Sequence, residues 1–179
     1  WFERGVLLFT LVSIILGAWA FKVDYDDRQQ ARADRANDLQ QAHEDRQANA
    51  IIQAWTLITT PATGNSGKGP ALEYLHGLGV PLIGIDLSCE RMGSEWIPSE
   101  WDSDFQICTS PAYLAGLSLP SADLRNVDLS GADLGCIDIS NAEPDCTNLQ
   151  MANLKRANMR GTTLLDANLQ EANLEDANL

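Results

Sequence analysis

A five-residue period in the last third of the chain constrains its fold more than any other feature. From residue 122 onward a large apolar residue occupies every fifth position, with a single proline among them. These central positions are Leu124, Leu129, Leu134, Ile139, Pro144, Leu149, Leu154, Met159, Leu164, Leu169, Leu174 and Leu179. Two positions before each centre lies a small or β-branched residue, such as Ala122 or Val127. A period of five fits neither a helix nor a flat strand, so the chain must turn a corner once per repeat.

The units ADLRN, VDLSG and ADLGC, which follow one another from Ala122, resemble the A(D/N)LXX motif of the pentapeptide-repeat family. The resemblance implies a mainly β fold, a right-handed quadrilateral β-helix with four pentads per coil and stacked leucines inside. The expected solenoid core is Leu124, Leu129, Leu134, Ile139, Leu149, Leu154, Met159, Leu164, Leu169 and Leu174. In such a coil, residues about twenty apart stack on one face, so we expect Asp128 beside Asn148 and Asp133 beside Asn153.

Two similar units lie upstream of the strict run, centred on Leu82 and Leu87. They predict a solenoid over residues 80–179 that is interrupted by an insertion at about 89–111. The insertion carries Trp96, Trp101 and Phe105 amid acidic residues. These three aromatic residues are candidate partner contacts, and the alternative is that their rings cover the flank of the solenoid.

The N-terminal segment is strongly apolar. Residues 5–21 include no charge, and residues 1–21 as a helix would be about 30 Å long, enough to cross a hydrocarbon core. Aromatic residues stand at both ends of this segment, as in interfacial belts. The pattern predicts a transmembrane helix within residues 1–25. A cleavable signal peptide is the alternative, but Lys22 and Asp24 after Phe21 make a poor cleavage site.

Residues 26–60 contain neither Gly nor Pro and are rich in Ala, Gln, Arg and Asp, which predicts a long polar helical stalk. Leu39 is isolated among polar residues, so the apolar seam of a coiled coil is missing. The stalk is either a solvated spacer or a rod that lies along a partner. Residues 61–79 are predicted to form a loop and a short capping helix with Pro70 at its start. A phosphate-binding loop is excluded at residues 64–68, because its glycines have the wrong spacing.

Cys89 and Cys108 bracket the insertion, and a disulfide between them would close it. Cys136 and Cys146 lie two pentads apart, on opposite faces of an ideal coil, which is too far for a bond. The imperfect pentad around Pro144 leaves that second pairing open. An even cysteine count favours an oxidising compartment, so we expect the solenoid to be extracytoplasmic (periplasmic). Free buried thiols are the alternative.

The net charge of −13 and the pI near 4.3 disfavour a nucleic-acid binder. An acidic surface favours basic partners, and the alternative is that it serves solubility alone. His43 and His76 lie in different segments, and the cysteines lack the spacing of a metal site. No Ser/His/Asp arrangement is evident either. We therefore predict no catalytic residue, no metal and no cofactor.

Together these features predict a single-pass, membrane-anchored scaffold or accessory subunit, not an enzyme, that binds partner proteins in a larger membrane complex. Self-association through the end of the solenoid is a further expectation, because open edges invite pairing. The alternative function comes from the family resemblance. Some members mimic DNA, so this chain could be an acidic inhibitor of a DNA-binding enzyme such as a topoisomerase.

Overall fold

The computed structural model describes residues 2–64, 66–100, 104, 106–137 and 143–179, and among these the side chains of residues 2–11 are not characterised. The chain divides into two compact units, Trp1–Asn49 and Ala50–Leu179. The finer domain limits expected from the sequence, at residues 25, 60 and 79, stay predictions.

Helix α1 spans Phe2–Thr59, 58 residues, and therefore contains both the apolar N-terminal segment and the polar stalk. The side chains from Val12 to Asn49 are exposed, apart from half-buried Ala42. Asp24 and Arg28 form an exposed i,i+4 ion pair at 2.8 Å, a contact that contributes little to stability. Between residues 12 and 49 the helix therefore has no buried face, and its composition of strong helix formers favours it locally.

The predicted transmembrane helix is wrong, since in the part of the chain whose side chains are described no helix is both long and apolar enough to span a bilayer. From Val12 the charge-free run continues only to Phe21, which is about 15 Å of helix against a hydrocarbon core of about 30 Å. The rest of the predicted span, residues 1–11, lies outside the described side chains. The predicted single-pass localisation is wrong for the same reason, and the extracytoplasmic placement that was part of that prediction is not retained.

Helix α2 spans Lys68–Gly77 and begins two residues before the expected Pro70. Its Leu72 and Leu75 join Ala54 and Ile58 of α1 in the same buried cluster as Leu82. Ile58 and Leu75 are fully buried. The end of α1 and the whole of α2 therefore cap the first repeats, because their apolar faces complete the core.

Lys68 fixes this cap. Its side chain is buried, and its Nζ donates hydrogen bonds to the carbonyl oxygens of Leu57 (2.7 Å), Ile58 (3.3 Å) and Thr60 (2.6 Å). The last carbonyl groups of a helix lack donors within the helix, and a cation there also interacts favourably with the helix dipole. Burial lowers the pKa of Lys68. Lys68 therefore supplies hydrogen-bond donors to the carbonyl groups at the C-terminus of α1.

The repeats form what we call the repeat stack, in which each pentad bonds to pentads in the neighbouring coil. Central residues of the earlier coils donate their backbone N–H to the next coil, for example Leu124 to the carbonyl oxygen of Asn153 at 2.9 Å. The fifth residue of a pentad turns the corner with a positive φ, 56° at Asn126 and 59° at Arg156. Isolated parallel bridges link the coils, such as Asn153 with Asn173.

The predicted mainly β class, a right-handed quadrilateral β-helix with a transmembrane helix, is wrong. The described residues form two helices of 58 and 10 residues and four strands of two or three residues in two antiparallel pairs. Within this part of the chain no closed solenoid sheet is formed. The physical reason lies in the pentad itself, since a turn every five residues leaves single bridges where a strand would need consecutive paired residues.

The predicted stacking of residues twenty apart is also wrong in the middle of the stack. Asp123 bridges to Asn153, Asp128 to Asn158 and Asp133 to Thr163, at a spacing of 30 residues. The twenty-residue spacing is found between Tyr113 and Asp133, and again from Asn148 onward, where Asn148 bridges to Asn168. The extra residues belong to a second insertion, residues 137–146, where the chain leaves the stack and returns.

Two further pentads complete the first coil, and the sequence reasoning missed them. Their centres, Leu114 and Leu119, are buried, and their N–H groups donate to the carbonyl oxygens of Asp133 and Asn148. The repeats therefore resume before residue 122.

Candidate interaction surface

The first insertion contains a pair of antiparallel strands, β1 (Trp96–Pro98) and β2 (Gln106–Cys108). We call these two strands the first strand pair. Trp96 is opposite Cys108, and Ile97 is opposite Ile107. Cys89 and Cys108 form a disulfide with their Cα atoms 5.8 Å apart. This bond ties the second strand to the residue at which the chain leaves the repeat stack.

Trp96 packs against the corner of the stack, where two glycines leave room for it. A Cβ atom at Gly131 would lie 2.8 Å from the Cys108 Cβ and 3.0 Å from the Trp96 ring. A Cβ at Gly161, in the next coil, would lie 3.0 Å from the same ring. Both glycines have a positive φ, 72° and 64°. The indole therefore fits against two adjacent coils only because these corners carry no side chain.

Polar contacts hold the indole in this place. Its Nε1 donates a hydrogen bond to the Glu90 carboxylate at 2.6 Å. The Arg160 guanidinium lies 5.6 Å from the ring centroid, a cation–π geometry, and also donates to the Gln106 side chain at 3.2 Å. Of the three aromatic candidates, half-buried Trp96 thus covers the flank of the stack, while Trp101 and Phe105 lie outside the described residues.

The outward face of the first strand pair is apolar at its centre. Ile97 and Ile107, directly opposite each other, are 42% and 40% exposed. Alternation along a strand places them on the face opposite Trp96 and Cys108, and it places exposed Glu95 on the same face as Ile97. Glu95 and Thr109 exchange hydrogen bonds at the start of the pair. The result is a rigid apolar pair beside a carboxylate.

A second pair of antiparallel strands, β3 (Cys136–Ile137) and β4 (Asp145–Cys146), marks the base of the second insertion. Cys136 and Cys146 are opposite each other and form a disulfide. This settles the pairing that the sequence left open, because the insertion brings both cysteines to one corner. A Cβ at Gly116 in the coil below would lie 2.7 Å from the Ile137 Cδ1. We call β3 and β4 the second strand pair.

The predicted core positions are found inside the stack wherever the structure describes them. Six are no more than 4% exposed, namely Leu124, Leu129, Leu134, Leu149, Leu154 and Met159. Leu164, Leu169 and Leu174 are partly buried against this core. Ile139 lies outside the described residues. An apolar void of about 10 Å³ lies among these side chains, room for at most one water, so this void is no ligand pocket.

One face of the stack carries charges of both signs. Arg125 donates two hydrogen bonds to the Asp123 carboxylate, both at 2.7 Å, and these bonds lower the pKa of Asp123. In the next two coils Lys155 pairs with Glu175 at 2.6 Å, and Arg156 lies 3.6 Å from Asp176. In the described part of the chain no group of His, Cys, Asp or Glu is arranged to hold a metal ion.

Two signals in the sequence could have revealed features that were missed. Alternation in the segments around Trp96 and Cys108 places Ile97 and Ile107 on the opposite face, which marks them as the exposed pair. The proline at the centre of one pentad, Pro144, marks the unit that cannot donate the N–H used by other centres, as in Leu124 to Asn153.

A family model described as pentapeptide repeats matches residues 112–143 and 145–179, in 8 copies. The match begins at the pentad centred on Leu114 and covers the repeats from there to Leu179, apart from residue 144. A search of curated proteins found no match.

Proposed function

We propose that this chain, in which residues 112–143 and 145–179 match pentapeptide repeats, is a non-enzymatic scaffold whose first strand pair binds a partner protein. Such repeats are generally non-enzymatic and are of a protein-interaction type. The observation that carries the proposal is the exposed Ile97–Ile107 pair on a strand pair that is held in place by a disulfide and by Trp96.

Rigidity supports this assignment. Binding an apolar pair that is already fixed costs little conformational entropy, so more of the contact energy contributes to affinity. Exposed isoleucines that lie opposite each other are a contiguous apolar surface, whereas isolated exposed apolar residues are ordinary. The Trp96 contacts with Gly131 and Gly161 hold this surface against the stack.

Charge indicates the chemistry of the partner. The described residues of the first insertion include Glu90, Glu95, Glu100 and Asp104, against the single basic residue Arg91. A partner segment with apolar side chains next to Lys or Arg would therefore match this face in both shape and charge. We propose such a basic, apolar segment of a protein as the occupant.

The acidic DNA-mimic alternative receives less support. A mimic of the duplex backbone needs a continuous run of negative charge, about one per 1.7 Å of axis. On the Asp123 face, the cations of Arg125, Lys155 and Arg156 pair with acids in successive coils. These ion pairs neutralise the acidic groups, so this face lacks a continuous run of negative charge. Self-association through the end of the stack is untested and stays a prediction.

The test uses the full chain with a photocrosslinking residue at position 97 in the cells that produce it, and at position 151 as a control on another exposed site. The protein captured only from position 97 is then purified and its affinity is measured. We expect Ile97→Lys/Ile107→Lys to weaken binding by about tenfold or more, because a buried apolar contact is replaced by charge. Met151→Lys/Leu165→Lys, on exposed residues elsewhere, should leave the affinity unchanged within about twofold.

Equal affinity of the two double variants would refute the proposed surface. Circular dichroism and melting of both variants establish that the fold is retained, which is expected because all four side chains are at least 40% exposed. Binding should also weaken at high salt, because salt screens the attraction between the acidic residues of the first insertion and a basic partner.

A further inference from the structure

The second insertion removes two whole pentads from the stack without changing the phase of the repeat. Before it the last centre is Leu134, and after it the next centre is Leu149, three pentads later. The insertion is closed by cysteines with a sequence separation of 10. A segment of two pentads could in principle be threaded into the coils, because every later residue would still meet an equivalent position.

The chain therefore has two in-phase ways to stack. In the observed register, Asp123 bridges to Asn153 and Asp128 to Asn158, 30 residues apart. In the threaded register the spacing would be 20 residues, as it is between Asn148 and Asn168. Everything after the insertion would then be rotated by half a coil. The pentad sequence alone does not discriminate between these registers, since its inward residues fit both.

Two features act against the threaded register. Cys136 and Cys146 are directly opposite each other in the second strand pair and are bonded. In a threaded coil they would occupy fifth positions two pentads apart, on opposite sides, where no disulfide could join them. Pro144 would become a centre, and it has no N–H to donate to the next coil. Every other centre of the middle coil does donate one, among them Leu134 to Thr163 at 2.8 Å.

The contacts at Gly116, on the first coil, also favour the observed register. Its corner accommodates the Ile137 side chain, whose Cδ1 would be 2.7 Å from a Cβ there. The Asp145 carbonyl oxygen also lies 3.3 Å from that position. Because Gly116 has no side chain, the first coil leaves space for the base of the second insertion.

We infer that the second insertion is a register lock: the Cys136–Cys146 disulfide, together with Pro144, selects the 30-residue stacking over an in-phase 20-residue alternative. The lock decides which side chains share a face. In the observed register Lys155 stacks on Arg125, and Arg156 stacks on the neighbouring Asn126. In the threaded register they would move to the opposite face, so the lock fixes the charge pattern that a partner meets.

Engineered cysteine pairs in the full chain report the register directly. Asp123→Cys/Asn153→Cys brings two thiols together only at the 30-residue spacing, and Asp133→Cys/Asn153→Cys only at the 20-residue spacing. A short bismaleimide links thiols in adjacent coils, and the Cys89–Cys108 disulfide does not react with it. With residues 136, 144 and 146 unchanged, we expect the first pair to crosslink and the second to remain at background.

The decisive variant is Cys136→Ser/Pro144→Leu/Cys146→Ser. It should raise crosslinking of the Asp133→Cys/Asn153→Cys pair by about tenfold over background, because the population shifts to the second register. Crosslinking through the 123–153 pair alone would overturn the inference. A variant that no longer melts cooperatively would overturn it too, because the second register must be a folded state.

Deletion of residues 137–146 tests the phase independently. It removes Pro144, Cys146 and both pentads, and with Cys136→Ser in the same chain no unpaired native thiol remains, so the remaining centres should stack as before and the 123–153 pair should still crosslink. A deleted chain that fails to fold, or that crosslinks differently, would show that the insertion is not in phase and would refute the inference. Pro144→Leu by itself should keep the observed register, because the disulfide remains.

Discussion

The two strand pairs have the same plan and differ in how tightly they are held. Each belongs to an insertion where the chain leaves the stack after the fifth position of a pentad, at Cys89 or Cys136, and a disulfide at that cysteine closes each insertion. Each also lies over a glycine with positive φ in a neighbouring coil, Gly131 or Gly116.

The contacts at those glycines are of different kinds. At Gly131 the neighbours are the Cβ atoms of the bonded Cys108 and Cys89 and the Trp96 ring, none of which moves easily. At Gly116 the nearest atom is the far end of the Ile137 side chain. The first pair is also fixed by Glu90 and Arg160 through the indole. The comparison shows that the same plan gives a rigid surface in one place and a compliant one in the other.

The largest effect is expected at Gly131. Gly131→Asn should lower the free energy of unfolding by about 2–3 kcal/mol, because the new side chain overpacks against the disulfide and Trp96. Chemical denaturation measures this change. The matched control is Gly84→Asn, which has a positive φ of 68° and nothing within 4 Å.

Asn tolerates this backbone conformation, as Asn126 does in the same column, so the control should change stability by about 0.5 kcal/mol or less. Equal effects at the two sites would mean that backbone strain, and not the first strand pair, explains the glycine at position 131.

A smaller effect is expected at Gly116. Gly116→Asn should cost about 1 kcal/mol, because Ile137 has a flexible side chain that can adopt another rotamer. The same denaturation experiment gives the value, again with Gly84→Asn as the control. A cost as large as that at Gly131 would contradict the distinction between a rigid and a compliant pair.

The smallest effect is expected at Arg160. Arg160→Met keeps the aliphatic stem but removes the cation–π contact with Trp96 and the bond to Gln106, and it should cost about 0.5–1 kcal/mol. Arg156→Met is the control, since its ion pair with Asp176 is 3.6 Å long and exposed on both sides.

Indole fluorescence is complicated by the other tryptophans, so denaturation curves and amide exchange of β1 and β2 are the measurements to compare. If amide protection in the first strand pair is unchanged in Arg160→Met, the cation–π contact does not contribute to its rigidity.

Much of the repeat stack was predictable from local pattern. The five-residue period identified six fully buried centres, and helix-forming composition identified the continuous polar part of α1. The two cysteines that bracket the first insertion pointed to the Cys89–Cys108 bond. These features depend on residues close in sequence or on strict periodicity, where each position repeats the same physical constraint.

Other predictions failed because they depended on the length of an apolar segment or on contacts between residues distant in sequence. The apolar segment before Lys22 suggested a membrane span, but its described charge-free part is too short. The class was expected to be mainly β, yet corners every five residues leave isolated bridges. For Trp96 the sequence left open a partner contact or a ring that covers the flank of the stack, and the choice depends on two glycines distant in sequence that leave space for the ring.

The sequence by itself determined the period, the inward residues and the corners, because a pentad has the same stereochemistry wherever it occurs. Only the tertiary structure decided the register, since two in-phase stackings satisfy the same pentads. The choice between them depends on a disulfide, on Pro144 and on the space at Gly116, whose contacts join different coils. The exposed Ile97–Ile107 pair was decided in the same way, because the contacts of Trp96 with the stack determine which face of the first strand pair remains exposed.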